Sequence, residues 1–329
     1  MNLRKTTRLG AALVVPALLF TAACGSDDGS DSGKGSGATV SQVSGKFGQQ
    51  PKISAPKDAK APDEVAVKTL VEGKGDKIAK GDQVRLDIAG QAMKDKRDLG
   101  STWATAKKGD KGPHQQLIEK IGQPSQSLPP KVQEALVGAK PGSRLLVEGT
   151  AGAIVGKALN PQAGIKKTDG LTWVLDVQGA AKVDSKAEAE GKNAAVKAGL
   201  PKVESPAQKP AKITIPKGED APEKLEQQTL IKGDGKTVKA GDGVIAQYTG
   251  VAWEDGKKFD SSWDNGGATP FQIGTGAVVK GWDKALVGKK VGDRVLMVVP
   301  PKDAYGTDKK AHKLGGKTLV FVVDVVGTV

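Results

Sequence analysis

Apolar and polar positions alternate, with many β-branched residues, over 229–232, 243–253, 258–261, 271–273, 294–299 and 318–326, and this pattern predicts six strands in the C-terminal third of the chain. Glu254-Asp255-Gly256-Lys257 puts Asp-Gly at the centre of a turn, which joins two of the strands as a hairpin. The period changes once, where Val279, Trp282 and Leu286 stand at helical spacing and Gly288 closes the run, so a short helix is expected over 280–287. Many strands and one brief helix describe an α+β domain in which an antiparallel curved β-sheet wraps over the helix.

The same pattern occurs earlier in a weaker form. Lys52-Ile53, Ala61-Pro62, Thr69-Leu70, Gly81-Asp82 and Trp103 recur 160 residues on as Lys212-Ile213, Ala221-Pro222, Thr229-Leu230, Gly241-Asp242 and Trp263. Farther along, Ala135-Leu136-Val137-Gly138 and Arg144 recur 150 residues on as Ala285-Leu286-Val287-Gly288 and Arg294. The chain therefore carries two copies of one domain, over 51–178 and 211–329. Residues 179–210 between them are rich in Lys, Ala and Pro. Ser185-Lys186-Ala187-Glu188 resembles a capping box, yet no apolar face follows it, so a solvated linker with one transient helix is expected.

The N-terminus sets the compartment. Arg4, Lys5 and Arg8 precede a short apolar run over 9–20, which ends in Thr21-Ala22-Ala23-Cys24. Residues 1–24 read as a secretory signal too short for a membrane span. Its close on the sole cysteine resembles a bacterial lipobox, with Cys24 as the lipidated residue, although Thr21 departs from the usual aliphatic position. Residues 25–50 are Gly-, Ser- and Asp-rich and are expected to be a disordered tether. The chain is accordingly expected to be exported and anchored to the outer face of the cell membrane as a lipoprotein.

The formal net charge is +13, but the lysines are dispersed and no Arg-rich or aromatic-interleaved stripe appears, which argues against nucleic-acid binding. One cysteine excludes an intramolecular disulfide, and His114 and His312 are too few for a Cys/His metal site. The expected chemistry uses no cofactor and no metal.

Aromatic residues make up 4% of the chain, yet Tyr248, Trp253, Phe259, Trp263, Phe271, Trp282, Tyr305 and Phe321 all fall in one stretch. That stretch also carries Tyr248-Thr249-Gly250, Asp255-Gly256-Lys257-Lys258-Phe259-Asp260, Pro270-Phe271, Gly281-Trp282, Val291-Gly292-Asp293-Arg294, Ala304-Tyr305-Gly306 and Thr318-Leu319-Val320-Phe321. In order and spacing this series resembles the FKBP family of peptidyl-prolyl cis-trans isomerases. The whole chain then looks like a tandem-domain bacterial lipoprotein with two FKBP-like domains.

The resemblance implies a pocket floored by Trp282 and walled by Tyr248, Phe259, Phe271, Val278, Val279 and Phe321. Asp260 and Tyr305 would be its polar rim, and the Val279 N–H a donor to a substrate carbonyl. It further implies proline-containing polypeptides as substrates, macrolides as candidate ligands, a monomeric chain and a role in folding secreted or envelope proteins. None of the pocket residues titrates near neutrality, so little pH dependence is expected there. Trp253 and Trp263 are expected at the surface or rim. The loop 307–316 departs from the family in having only Leu314 as an apolar overhang, and His312 is expected to face solvent.

The first copy departs further. By the repeat, Ile88, Leu99, Gly100, Val132 and Val155 stand for Tyr248, Phe259, Asp260, Trp282 and Tyr305, with Trp173 near the place of Phe321. A first domain without isomerase activity is expected. The alternative for the whole chain is a substrate-holding chaperone or binding lipoprotein without turnover.

Overall fold

A computed structural model describes residues 38–329, except 57, 106–111 and 196. The signal-peptide and Cys24 expectations, with the tether before residue 38, lie outside the described residues. The described chain divides into two compact units that meet between Lys182 and Val183.

The first unit opens with a hairpin of β1 (Gln42–Ser44) and β2 (Lys52–Ser54). Its sheet comprises β3 (Ala66–Val71), β4 (Gln83–Ala92), β5 (Asp98–Ser101), β6 (Leu117–Lys120), β7 (Arg144–Thr150) and β8 (Gly170–Ala181). The order is β3-β7-β8-β4-β5, with β6 also on β4, and every pairing is antiparallel. Two one-turn helices accompany it, α1 (Pro130–Glu134) and α2 (Ala151–Val155). Val132 of α1 and Ile154 and Val155 of α2 are buried in the core that the sheet residues line.

Residues 38–50 differ from the expected disordered tether. The Val40 and Gly48 N–H groups donate to the Glu148 and Asp176 carboxylates at 2.6 and 2.8 Å. Arg144, 1% exposed, donates to Asp176 at 2.5 and 2.7 Å and to the Gly45 and Gln49 carbonyls at 2.7 and 2.8 Å. A polar segment is ordered here because it satisfies charges that the sheet has buried, a gain that hydropathy does not register.

In the second unit β9 (Lys192–Asn193), the hairpin of β10 (Lys202–Glu204) and β11 (Lys212–Thr214), and β12 (Glu226–Lys232) lead to β13 (Gly243–Ala252), β14 (Lys258–Ser261) and β15 (Thr269–Gln272). Then come α3 (Lys280–Leu286), β16 (Arg294–Val299) and β17 (Leu319–Thr328). The antiparallel order is β14-β13-β17-β16-β12-β9, with β15 also on β13. Trp282, Ala285 and Leu286 of α3 share one buried cluster with Val295, Met297, Val299, Leu319, Phe321 and Val323 of β16 and β17. Gly281 permits the close approach, since a Cβ there would lie 2.4 Å from a Val299 methyl.

The opposite face of the sheet is also covered. Val251, Leu296, Val298, Val320 and Val322 pack with Trp253 and with Ile213 of the β10–β11 hairpin. Trp253 is therefore 7% exposed and buried, against the surface or rim position expected.

Residues 183–210 are not a solvated linker, and no helix forms among the described residues of that segment. The Ala189 N–H donates to Asp324 at 2.9 Å, Gln247 donates to the Ser185 carbonyl at 2.6 Å, and β9 pairs with β12. The segment folds through backbone hydrogen bonds to the sheet, so it needs no periodic apolar face of its own.

Candidate active site

Strand β13 is the hub of the second unit's ring cluster. It pairs with β14, β15 and β17, and its register sets Gly250 against both Asp260 and Phe321, and Val244 against Phe271. Alternate residues of one strand share a face, so Tyr248, two positions from Gly250, lies on the side where Phe321 carries its ring. Gly250 has to be glycine for the rings to fit, because a Cβ there would lie 2.6 Å from Phe259 and 3.0 Å from Phe321.

Five elements thus deliver five rings to one place. Trp282 is central, with centroids 5.0 Å from Phe271, 5.4 Å from Phe321 and 5.6 Å from Tyr248. Tyr248 and Phe271 are 5.6 Å apart, and Phe259 and Phe321 are 5.5 Å apart. All five contacts are edge-to-face, the geometry that ring quadrupoles favour. Trp282 and Phe321 are each 5% exposed, while Tyr248, Phe259 and Phe271 are half-buried and present apolar surface at the edge of the cluster. Val278 and Val279 pack against the buried core that contains Trp282 and Phe321. The Val279 N–H finds no acceptor among the described residues, which leaves it available to a ligand carbonyl.

The polar rim is built around Asp260. Its carboxylate accepts the Tyr248 hydroxyl at 2.7 Å and the Asn265 amide at 3.1 Å, and Asn265 also donates to the Ser261 carbonyl at 3.0 Å. Burial, followed by the Asp260 hydrogen bond and charge, pushes the Tyr248 phenol far above its usual range. Burial and the Asp260 charge likewise raise Tyr305. Both hydroxyls therefore remain proton donors across the physiological range.

Tyr305 is 41% exposed and makes no ring contact with the five-ring cluster; its ring stacks on His312 at 4.0 Å and 10° instead. This differs from the solvent-facing histidine expected, because Leu314 turns inward, 7% exposed, and its N–H donates to His312 Nδ1 at 3.1 Å. The apolar residue of the loop joins the core, and the imidazole covers the rim tyrosine in its place. Trp263 is half-buried and outside the cluster. Asn265 and His312 were not legible as site residues, since each acts through a loop contact with no periodic signature.

The corresponding place in the first unit is closed. Ile88, Leu99, Val132, Val155 and Trp173 are all buried, and Trp173 is 0% exposed. Gly90 pairs with Trp173 as Gly250 pairs with Phe321, so the indole occupies the position of that phenylalanine. A Cβ on Gly90 would lie 2.6 Å from the indole ring. Gly100 stands where Asp260 does and leaves no carboxylate at that position.

A family model described as FKBP-type peptidyl-prolyl cis-trans isomerase matches residues 234–326. A probable FK506-binding protein of Corynebacterium glutamicum is 40% identical over 114 residues, covering 35% of this chain and 94% of that protein. An FK506-binding protein of Streptomyces anulatus is 41% identical over 117 residues, covering 35% of this chain and 93% of that protein. FK506-binding protein 2 of Dictyostelium discoideum is 36% identical over 120 residues, covering 36% and 90%. The chain belongs to the FKBP-type peptidyl-prolyl cis-trans isomerase family.

Proposed function

We propose that the second unit catalyses cis-trans isomerisation of Xaa-Pro bonds and that the first unit does not. The observation that carries this reading is the five-ring cluster around Trp282, half-open at Tyr248, Phe259 and Phe271 and fringed by Asp260 and Tyr305. Rotation about a prolyl amide is slow because it breaks C–N resonance, at a barrier of about 18–20 kcal/mol. The twisted transition state has lost most of the amide's charge separation, so apolar surroundings penalise it less than the planar ground state. The Val279 N–H and the Tyr305 hydroxyl then hold flanking carbonyls, and the energy of binding them places the proline ring against Trp282. No nucleophile and no metal is required.

The same reading takes the protein to be an exported lipoprotein. The basic start, apolar run and Cys24 support it, and its folding role would be directed to secreted or envelope proteins with exposed prolines. One acyl chain gives marginal attachment, so stable anchoring calls for more than one on Cys24. Macrolides are candidate ligands of the ring cluster, and the chain is taken as a monomer that binds no nucleic acid.

The test is turnover of a proline-containing peptide by the full chain and by Trp282→Ala. Acceleration that falls at least tenfold in the variant is expected. Peptide binding with an uncatalysed rate in the wild type would favour a holding protein instead. For the anchor, Cys24→Ala should move the protein from the membrane fraction to the soluble fraction, and an unchanged, salt-sensitive association would argue for charge rather than lipid.

A further inference from the structure

One wall of the ring cluster has no regular structure. Between β15 and α3 the chain runs through Gly274, Thr275 and Gly276 to Val278 and Val279, which pack against the buried core that contains Trp282 and Phe321. Gly274 and Gly276 have φ of +80° and +74°, and the Thr275 hydroxyl between them is buried without a partner. The turn is gripped from the helix side. One Asp283 carboxylate oxygen accepts the Gly274 N–H at 2.6 Å and the other accepts the Gly276 N–H at 2.9 Å.

We infer that Asp283 is a positioning residue of the candidate active site, which, by holding both ends of the Gly274–Gly276 turn from the position after Trp282, sets where Val278 and Val279 stand relative to the rings. The inference rests on the isomerase reading of the second unit. Only Ala277 and Val278 separate Gly276 from Val279, and at about 3.8 Å per residue a displaced turn has little chain in which to relax before the Val279 N–H. Burial pushes the Asp283 carboxyl above its usual range while the two backbone bonds oppose that shift, so its ionised form is kept at some cost.

The first unit supplies an internal comparison. There α1 presents Gln133, whose Oε1 accepts the Gly122 N–H at 3.1 Å and whose Nε2 donates to the Gln123 carbonyl at 3.0 Å. A clamp from helix to loop is thus common to both units and serves the fold in each. The carboxylate differs in taking two donors and giving none, which turns both glycine amides of the second unit toward one side chain.

The experiment compares the full-length wild type with Asp283→Ala and Asp283→Asn, well below the unfolding temperature. It reads kcat and KM on a prolyl peptide together with amide hydrogen exchange at Gly274 and Gly276. In Asp283→Ala, kcat/KM should fall about tenfold, mainly through KM, with faster exchange at both glycines. Asp283→Asn, which keeps one acceptor, should recover part of the loss. A folded Asp283→Ala with faster exchange and kcat/KM within about twofold of wild type would overturn the inference. If Asp283→Ala does not fold, an Asp283→Asn with unaltered kcat/KM overturns it equally, as do Gly274 and Gly276 amides that exchange freely in the wild type. Absence of turnover in the wild type would remove the isomerase reading itself, a separate result.

Discussion

Gly250→Ala and Gly90→Ala place the same methyl group at equivalent positions of the two units, and the packing around each predicts opposite consequences. In the second unit the new Cβ would lie 2.6 Å from Phe259 and 3.0 Å from Phe321. Carbon contacts settle near 3.5–4.0 Å, so a ring has to move by about 1 Å. Phe259 is half-buried and can swing outward, which limits the stability cost to about 1–2 kcal/mol. A displacement of that size in a wall proposed to contact substrate can cost about a hundredfold in rate. In the first unit the Cβ would lie 2.6–2.7 Å from three atoms of Trp173, which is 0% exposed and has no outward path. Overpacking there should cost about 3 kcal/mol. Thermal unfolding of the full chain, followed beside prolyl-peptide turnover, separates the outcomes. Gly90→Ala should lower the melting of the first unit and leave turnover unchanged, whereas Gly250→Ala should lose turnover with a smaller thermal shift. Turnover lost in Gly90→Ala and kept in Gly250→Ala would refute the assignment of catalysis to the second unit.

Other outcomes follow from the polar contacts. Asp176→Asn strands Arg144, 1% exposed, and should destabilise the first unit by about 3–5 kcal/mol, whereas Asp324→Asn should cost less because the Arg294 side chain is 13% exposed; denaturant titration of each variant measures both. Tyr248 and Tyr305 are the only tyrosines and both are raised in the folded state, so their contribution to stability is complete below about pH 10 and is lost as the pH rises toward their folded values. Phenolate absorbance of the native protein at pH 10 should therefore be well below that of the unfolded chain, and equal absorbance would contradict the Asp260-centred rim. His312→Ala uncovers one face of Tyr305 and should change KM more than kcat, which steady-state kinetics on a prolyl peptide reads directly.

Much of the second unit could be read from its alternation. The helix over 280–286 and the strands β13, β14 and β16 stand within a residue of the sequence expectation, because each has a clean periodic signal and a marked turn. The chain over 183–214 was illegible for a physical reason. Its backbone groups are held by hydrogen bonds to residues as distant as the Asp324 carboxylate, and its isolated Leu200, Val203 and Ile213 form no periodic face. Its cover over the second face of the sheet also explains why Val295 to Val299 are all buried and why Trp253 is inside. In the site, the rings were legible because motifs in fixed order named them. The hydrogen bonds from Asn265 and to Asp283 and the stacking of His312 were not, since each depends on how an irregular loop closes. The first unit's closed core was half legible: Ile88, Leu99 and Val132 signalled the loss of the rings, while the full burial of Trp173 required the β4–β8 register.

The most direct measurement of the central claim is magnetisation exchange between the cis and trans forms of a prolyl peptide, with residues 38–182 and residues 183–329 added separately. Faster exchange with 183–329, abolished by Trp282→Ala, and none with 38–182 is the result expected. Exchange accelerated by 38–182, or unaffected by the loss of the Trp282 ring, would contradict it.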